Sequence, residues 1–259
     1  MTFSHGKEIK TIILAGGMGT RLRGMVNVPK SMALIGGKPF LEYLILQLKK
    51  WQMKDIVLSV GYKRDTIKSY FGNGSEFDVV ISYSEEDQPL GTGGALKKAM
   101  ATTDNDSFVV MNGDSVFDIN FRDLINYHTG TPGIATMALS IVKDRSRYGS
   151  VEISADGEIT GFKKEGVKNP GLINSGIYVV NRDVISYIPD GQISLEGLVL
   201  PLIQKDSLLY GKIFDAFFID IGTPEAYQWA NEHPEYLTDV YSSRGQNCDI
   251  SDKGKQEKP

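Results

Sequence analysis

The sequence predicts an α/β fold: one domain built on a mixed, mostly parallel sheet with helices on its faces. Two textures along the chain carry this prediction. In the first half, short β-branched apolar runs alternate with helix-spaced segments, the pattern of parallel strands joined by crossover helices. From residue 133 the helical spacing stops, and strand-like pieces follow one another across short turns.

Residues 9–15, IKTIILA, have no polar face and predict a strand buried on both sides. In PFLEYLILQLKKW, Leu41, Leu44, Ile45, Leu48 and Trp51 recur at helical spacing with charges opposite, which predicts an amphipathic helix. DIVLSVG (55–61), DVVISYS (78–84) and SFVVMNGD (107–114) predict three more strands. RDTIKSYF and GTGGALKKAM supply helices between them. GIATMALSIV, GSVEIS, EITGFKK and INSGIYVVN then extend the sheet in antiparallel or mixed fashion. A helix over 195–205, a strand in AFFIDIG and a proline-opened helix at PEAYQWANEH complete the domain. It is expected to span 1–237, with 238–259 a polar tail that has too little to bury and is read as disordered.

Composition excludes several function classes. A net charge of −4 argues against a general nucleic-acid binder, so anion binding must come from locally placed cations. The single cysteine, Cys248, offers no disulfide framework. Neither a signal peptide nor a membrane span is evident, which predicts a cytoplasmic protein without membrane partners. His5, His128 and His233 have no spacing for a metal site or a nucleophilic triad.

The stretch LAGGMGTRLRGMVNVPKSM (14–32) leaves the first strand where open α/β sheets bind ligands. A dinucleotide reading fails: Leu22 stands where a third glycine belongs, and the second strand ends in SVGYK without an acidic residue for a ribose. A P-loop reading fails because Lys30-Ser31 follows proline and lies far from the glycines. What remains is a loop whose glycines let backbone approach an anion, with Arg21 and Lys30 bringing charge from two directions.

LAGGMGTRL, eight residues, then PK resembles the signature of the sugar-1-phosphate nucleotidylyltransferases, which join a nucleoside triphosphate to a sugar 1-phosphate and release pyrophosphate. The resemblance implies a Rossmann-like catalytic domain of the nucleotide-diphospho-sugar transferase type. It places Leu14, Ala15, Gly16, Gly17, Gly19 and Thr20 against the nucleotide, with Arg21 and Lys30 as catalytic cations on its phosphates. PLGTGGAL (89–96) is similar to the family's second glycine-rich segment, so Pro89, Gly91 and Thr92 are expected at the base and ribose, where a side chain would block a flat base. Asn112 joins the nucleotide site, and Asp114 of NGD and Asp220 of DIG are expected to hold a catalytic Mg²⁺. Two carboxylates suffice for a hard cation that also binds substrate phosphates.

YGSVE (148–152) and NSGIY (174–178) resemble the sugar-contacting segments, which points to Gly149 and Asn174. The family's Glu-Lys pair after Gly-Phe is here GFKKEG, so the sugar phosphate falls to Lys163 or Lys164; on a strand these face opposite sides, and only one can serve. Glu86 stands where relatives acting on uridine or thymidine triphosphates carry glutamine. An ionised carboxylate only accepts, which suits the adjacent N1–H and N2–H₂ donors of guanine and favours GTP. The short form and the wording PLGTGGA look most like the D-glycero-α-D-manno-heptose 1-phosphate guanylyltransferases. Mannose 1-phosphate with GTP, N-acetylmuramate 1-phosphate with UTP, and a non-catalytic nucleotide-sugar sensor are the alternatives; oligomeric state is left open, a homodimer among the possibilities.

Overall fold

The structure, a computed structural model, describes residues 9–17, 27–163 and 168–242. Strand β1 (Lys10–Leu14) buries both faces: Ile13 enters one apolar cluster and Ile12 the cluster on the opposite side. This is why the run shows no polar alternation. A short hairpin, β2 (Leu34–Ile35) and β3 (Lys38–Pro39), leads into helix α1 (Phe40–Lys50), whose Leu41, Leu44, Ile45 and Leu48 are fully buried. Then come β4 (Asp55–Val60), α2 (Arg64–Phe71), β5 (Val80–Glu85), α3 (Gly91–Met100) and β6 (Ser107–Asn112).

β5, β4, β1 and β6 lie side by side and parallel. The chain therefore winds outward from β1 to β5, then returns to the other side of β1 at β6. That reversal is a topological switch point, with the carboxyl ends of β1 and β6 open on either side of it.

After β6 come β7 (Ser115–Phe117), α4 (Phe121–Thr129), β8 (Ala135–Val142), β9 (Ser150–Ile153), β10 (Ile159–Lys163) and β11 (Gly171–Asn181). β11 runs antiparallel to β6, β8 and β9, and joins the antiparallel half to the parallel half as one mixed sheet in a single domain. Its ladder with β8 is interrupted between Asn174 and Tyr178. The chain closes with α5 (Leu200–Lys205), β12 (Leu209–Phe214) parallel to β8, β13 (Phe218–Asp220) antiparallel to β7, α6 (Pro224–Glu232) and α7 (Pro234–Tyr241).

Several elements differ from the sequence reading, the β2–β3 hairpin and strand β7 among them. Helix α4 and strand β12 were not anticipated; α4 starts at Asn120, whose side chain accepts from the Arg122 and Asp123 N–H groups. The helix expected over 195–205 is a wider π-type turn at Leu195–Val199 followed by the short α5. The domain also continues past residue 237. α7 buries Leu237 and Val240, and Lys50 Nζ donates to the Val240 carbonyl at 2.8 Å. Residues 243–259, with Cys248, lie outside the described residues.

Candidate active site

The ends of β1 and β6 are locked together before any side chain is considered. Gly113 N–H donates to the Leu14 carbonyl at 3.0 Å, and Ala15 N–H to the Ser59 carbonyl of β4 at 2.8 Å. Gly16 follows with its Cα against the Glu86 carboxylate, so that any side chain at position 16 would overlap it. Gly17 faces open space. Gly19, Thr20 and Arg21 lie outside the described residues.

Glu86 leaves the end of β5 and points back to β1. Its Oε2 accepts from Leu90 N–H at 2.9 Å, and its Oε1 lies 3.4 Å from Ser59 Oγ. Arg64 of α2 holds the same loop through the Glu86 carbonyl and the Asp87 and Glu85 carboxylates. A carboxylate has about four acceptor positions, so Glu86 keeps capacity for two further donors.

The glycine-rich segment packs closely against a distant stretch of chain. Gly91 has φ +70°, and its missing Cβ would overlap the Ile193 carbonyl; Gly93 and Gly94 press on Ile193 and Gly191 in the same way. Gly93 N–H donates to the Ile193 carbonyl at 2.8 Å and Ile193 N–H to that of Leu90. The close approach of the 191–193 chain by itself requires glycine at these positions. Pro89 is exposed beside this seam. Thr92 also turns toward the 191–196 segment: its Oγ1 donates to Glu196 Oε2 at 2.8 Å and accepts from Leu195 N–H.

At the other end of the switch point three distant stretches meet. Lys30, on the helical turn Lys30–Met32 after Pro29, places Nζ 2.7 Å from Asp114 Oδ2 and 3.3 Å from Asp220 Oδ1. Asp114 follows β6, and the β7–β13 ladder pairs Ser115 with Asp220, which brings the two aspartates to one place. Gly222 N–H donates to Asp220 Oδ1 at 2.6 Å and Ser115 Oγ to Asp114 Oδ1 at 3.2 Å. Burial, then the Asp114 charge, raises the Asp220 carboxyl above the ordinary range, against the pull of Lys30. Two carboxylates that converge on one cation fit a divalent metal. Among the described residues no group of three or more metal-ligating side chains exists, so such an ion would take its other ligands from water or substrate.

Between these two places lies a network centred on Glu196. Its Oε1 accepts from Asn112 Nδ2 at 3.2 Å and Tyr178 OH at 3.3 Å, and Tyr178 OH accepts from Asn174 Nδ2 at 2.7 Å. Asn174 Oδ1 takes Gly176 N–H inside the irregular stretch of β11. Burial, then the Glu196 charge, keeps the Tyr178 phenol protonated, its pKa pushed well upward. Among the described residues, Asn112 Oδ1 is buried with no partner.

Of the two lysines expected at the sugar phosphate, only Lys163 is among the described residues. Lys163 is mostly exposed and forms an ion pair with Glu152 of β9. Lys164 lies outside the described residues. Gly149 is exposed at the end of the loop before β9. Glu196 and Tyr178 were given no role from sequence: Tyr178 closes the quoted NSGIY, and Glu196 follows Ser194, whose Oγ accepts from Gly197 N–H to start the turn. His128 and His233 hold structure: buried His128 bonds Thr136 and Asn181, and His233 stacks on Trp229; His5 lies outside the described residues.

The nucleotidyl transferase family model matches residues 10–235. The chain belongs to that family. As a nucleotidyl transferase it is 39% identical over 232 residues to the D-glycero-alpha-D-manno-heptose 1-phosphate guanylyltransferase of Aneurinibacillus thermoaerophilus, covering 88% of this chain and 99% of that one. It is also 39% identical over 222 residues to the enzyme of that name from Campylobacter jejuni, covering 85% and 97%. The crystal structure of HddC from Yersinia pseudotuberculosis complexed with GMP-PN superimposes with a TM-score of 0.78 at 33% identity, over 87% of this chain and 99% of that one. As a family member it is an enzyme of nucleotidyl transfer, and the mixed sheet seen here is the family's fold. No helix among the described residues is long and apolar enough to cross a membrane.

Proposed function

We propose that this nucleotidyl transferase moves GMP from GTP to D-glycero-α-D-manno-heptose 1-phosphate, giving GDP-heptose and pyrophosphate in the cytoplasm. The observation that carries the reaction is the meeting of Lys30, Asp114 and Asp220 within hydrogen-bond distance at the switch point. The two relatives at 39% identity, both named for the heptose substrate, support the sugar. The spare acceptor capacity of Glu86, beside the end of β1, supports guanine.

In this reading an oxygen of the sugar phosphate attacks the α-phosphorus of GTP in line. One P–O bond forms, the α–β bridge breaks, and pyrophosphate leaves with that electron pair. The attacking oxygen is already anionic near pH 7, so the chain needs no general base; its work is positioning and charge neutralisation. Gly16 and Gly17 let backbone lie close to the nucleotide, and Glu86 accepts from the base. Asn112, held by Glu196, turns its partnerless Oδ1 to a substrate hydroxyl. Lys30 exchanges the carboxylates for the α-phosphate, and Arg21 holds the β- and γ-phosphates. A divalent cation on Asp114 and Asp220, Mg²⁺ in this reading, supplies Lewis-acid charge when bound.

A pyrophosphate-release assay over four nucleoside triphosphates crossed with heptose, mannose and N-acetylmuramate 1-phosphates tests this. GTP with the heptose phosphate should give the highest kcat/KM. Preference for another pair reassigns the substrates, and no turnover with any pair removes the enzyme reading of this site.

A further inference from the structure

The reaction just proposed brings two polyanions to the Asp114–Asp220 pair, and the cation that receives the second is not settled by Lys163, which Glu152 already neutralises. Arg147 lies in the loop that joins β8 to β9, in the antiparallel half of the sheet and away from Glu86 and Gly16. Its guanidinium carbon sits 5.5 Å over the ring of Tyr148. The Tyr148 ring in turn meets Phe218 edge-on at 5.9 Å, and Phe218 begins the strand that ends at Asp220. Tyr148 is within electrostatic reach of both: burial raises its phenol most, Arg147 lowers it and Asp220 raises it. Arg147 is therefore one aromatic ring away from the carboxylate pair.

Its bonding is unlike that of the other site cation. Among the described residues, Arg147 Nε is buried without a hydrogen-bond partner. Asp144 and Glu225 feel its charge through space, yet neither comes within ion-pair distance of it among the described residues. Burying an unpartnered N–H of a charged group is unfavourable unless a ligand completes it. Stacking on Tyr148 fixes the plane of the guanidinium, whose fork of donors matches a phosphate better than a hydroxyl.

We propose that Arg147 is a further substrate-binding residue, receiving the phosphate of the sugar 1-phosphate on the Asp220 side of the site. This rests on the nucleotidyl-transfer reading above. The nucleotide phosphates are the other candidate ligand, and the position of the loop in the non-nucleotide half of the sheet favours the sugar phosphate.

The test compares Arg147→Gln, Arg147→Lys and Glu225→Gln with the wild type. KM is measured for GTP and for D-glycero-α-D-manno-heptose 1-phosphate and mannose 1-phosphate, together with calorimetric binding of each sugar phosphate in the presence of a non-hydrolysable GTP analogue. Arg147→Gln should weaken sugar-phosphate binding and raise its KM at least about tenfold, as loss of a charge-assisted contact does. KM for GTP should stay within about twofold, below the resolution of one lost contact. Arg147→Lys should recover part of the loss and Glu225→Gln should resemble the wild type. Unchanged sugar-phosphate binding in Arg147→Gln overturns the proposal. So does an equal rise in KM for GTP, or a Glu225→Gln variant that reproduces the defect, since Arg147 would then only brace α6. If Arg147→Gln does not fold, the lysine variant decides by the same readings. Wild-type inactivity toward both sugars would instead count against the proposed reaction, with calorimetry still reporting on Arg147.

Discussion

Lys30 and a divalent cation are drawn to the same oxygens, and replacing the lysine separates the two claims. The ammonium lies 2.7 Å from Asp114 and 3.3 Å from Asp220, with its side chain 15% exposed. An ion that binds both carboxylates must first displace it. A hydrogen bond to a charged group contributes about 1.5–3 kcal/mol net. Counting only the shorter contact, Lys30 opposes ion binding by roughly tenfold to 150-fold. Lys30→Met keeps the length and apolar stem of the side chain and drops the charge. Without nucleotide, Mn²⁺ affinity read from the paramagnetic signal of the free ion should therefore rise at least about tenfold. Turnover should collapse in the same variant, because the phosphates lose their cation. Adding Asp114→Asn should abolish the gain. Unchanged or weaker Mn²⁺ binding in Lys30→Met would show that the ion does not share these oxygens, and the exchange of Lys30 from carboxylate to phosphate would go with it.

Four further outcomes follow from the geometry. Glu86→Gln should lower the preference for GTP over UTP by at least about tenfold in kcat/KM, because a glutamine both donates and accepts; unchanged selectivity removes Glu86 from base recognition. Gly91→Ala should destabilise the fold by at least about 2 kcal/mol in urea unfolding, since it combines left-handed backbone with an overlap on the Ile193 carbonyl, and a neutral result would remove the close approach as the reason for this glycine. Glu196→Ala should cost about 1–3 kcal/mol of stability by leaving Thr92, Asn112 and Tyr178 donors unpaired, with kcat falling further than in Glu196→Gln, which keeps acceptors; equal effects in both variants would argue for lost packing. Burial lowers the pKa of His128, so the unfolded chain protonates first as pH falls. The stability that neutral His128 contributes is complete above its unfolded pKa and is lost on acidification through the folded value. Melting curves from pH 7.5 to 5 should show a larger drop for the wild type than for His128→Gln, and parallel drops would exclude this histidine.

Much of this arrangement is legible in the sequence because it depends on local pattern. β1 reads as a strand buried on both faces and β6 as a strand that ends in the polar triplet NGD, which marks where side chains leave the sheet. Lys30, Asp114 and Asp220 could be named through the family resemblance, although nothing in their spacing of 84 and 190 residues from Lys30 requires contact. Other features depend on partners that sequence does not reveal. Nothing local in Gly91, Gly93 and Gly94 shows that the Ile193 chain packs against them. Glu196 faces inward only because Thr92 and Asn112, 104 and 84 residues away, arrive beside it. Helix α4 is a different case. Phe121, Leu124, Ile125 and His128 are buried at helical spacing behind the Asn120 cap, so its signal was local and available.

The sheet places the two halves of the proposed site on different strands. Parallel strands β4, β1 and β6 present their carboxyl ends together, with the Glu86 carboxylate after β5 beside them. β11 reverses direction beside β6, so the next ligand-facing groups come from the middle of a strand. That is possible because the ladder with β8 breaks between Asn174 and Tyr178, where Gly176 takes φ +78° and brings backbone against Asn112. The break frees the Asn174 amide from the pleat and hands it to Tyr178, and through Tyr178 to Glu196. Asn112 bonds Glu196 directly and Asn174 reaches it through Tyr178, so both asparagines depend on one carboxylate. In the proposed reaction, a ligand that draws on either asparagine would change the hydrogen bonds left to the other.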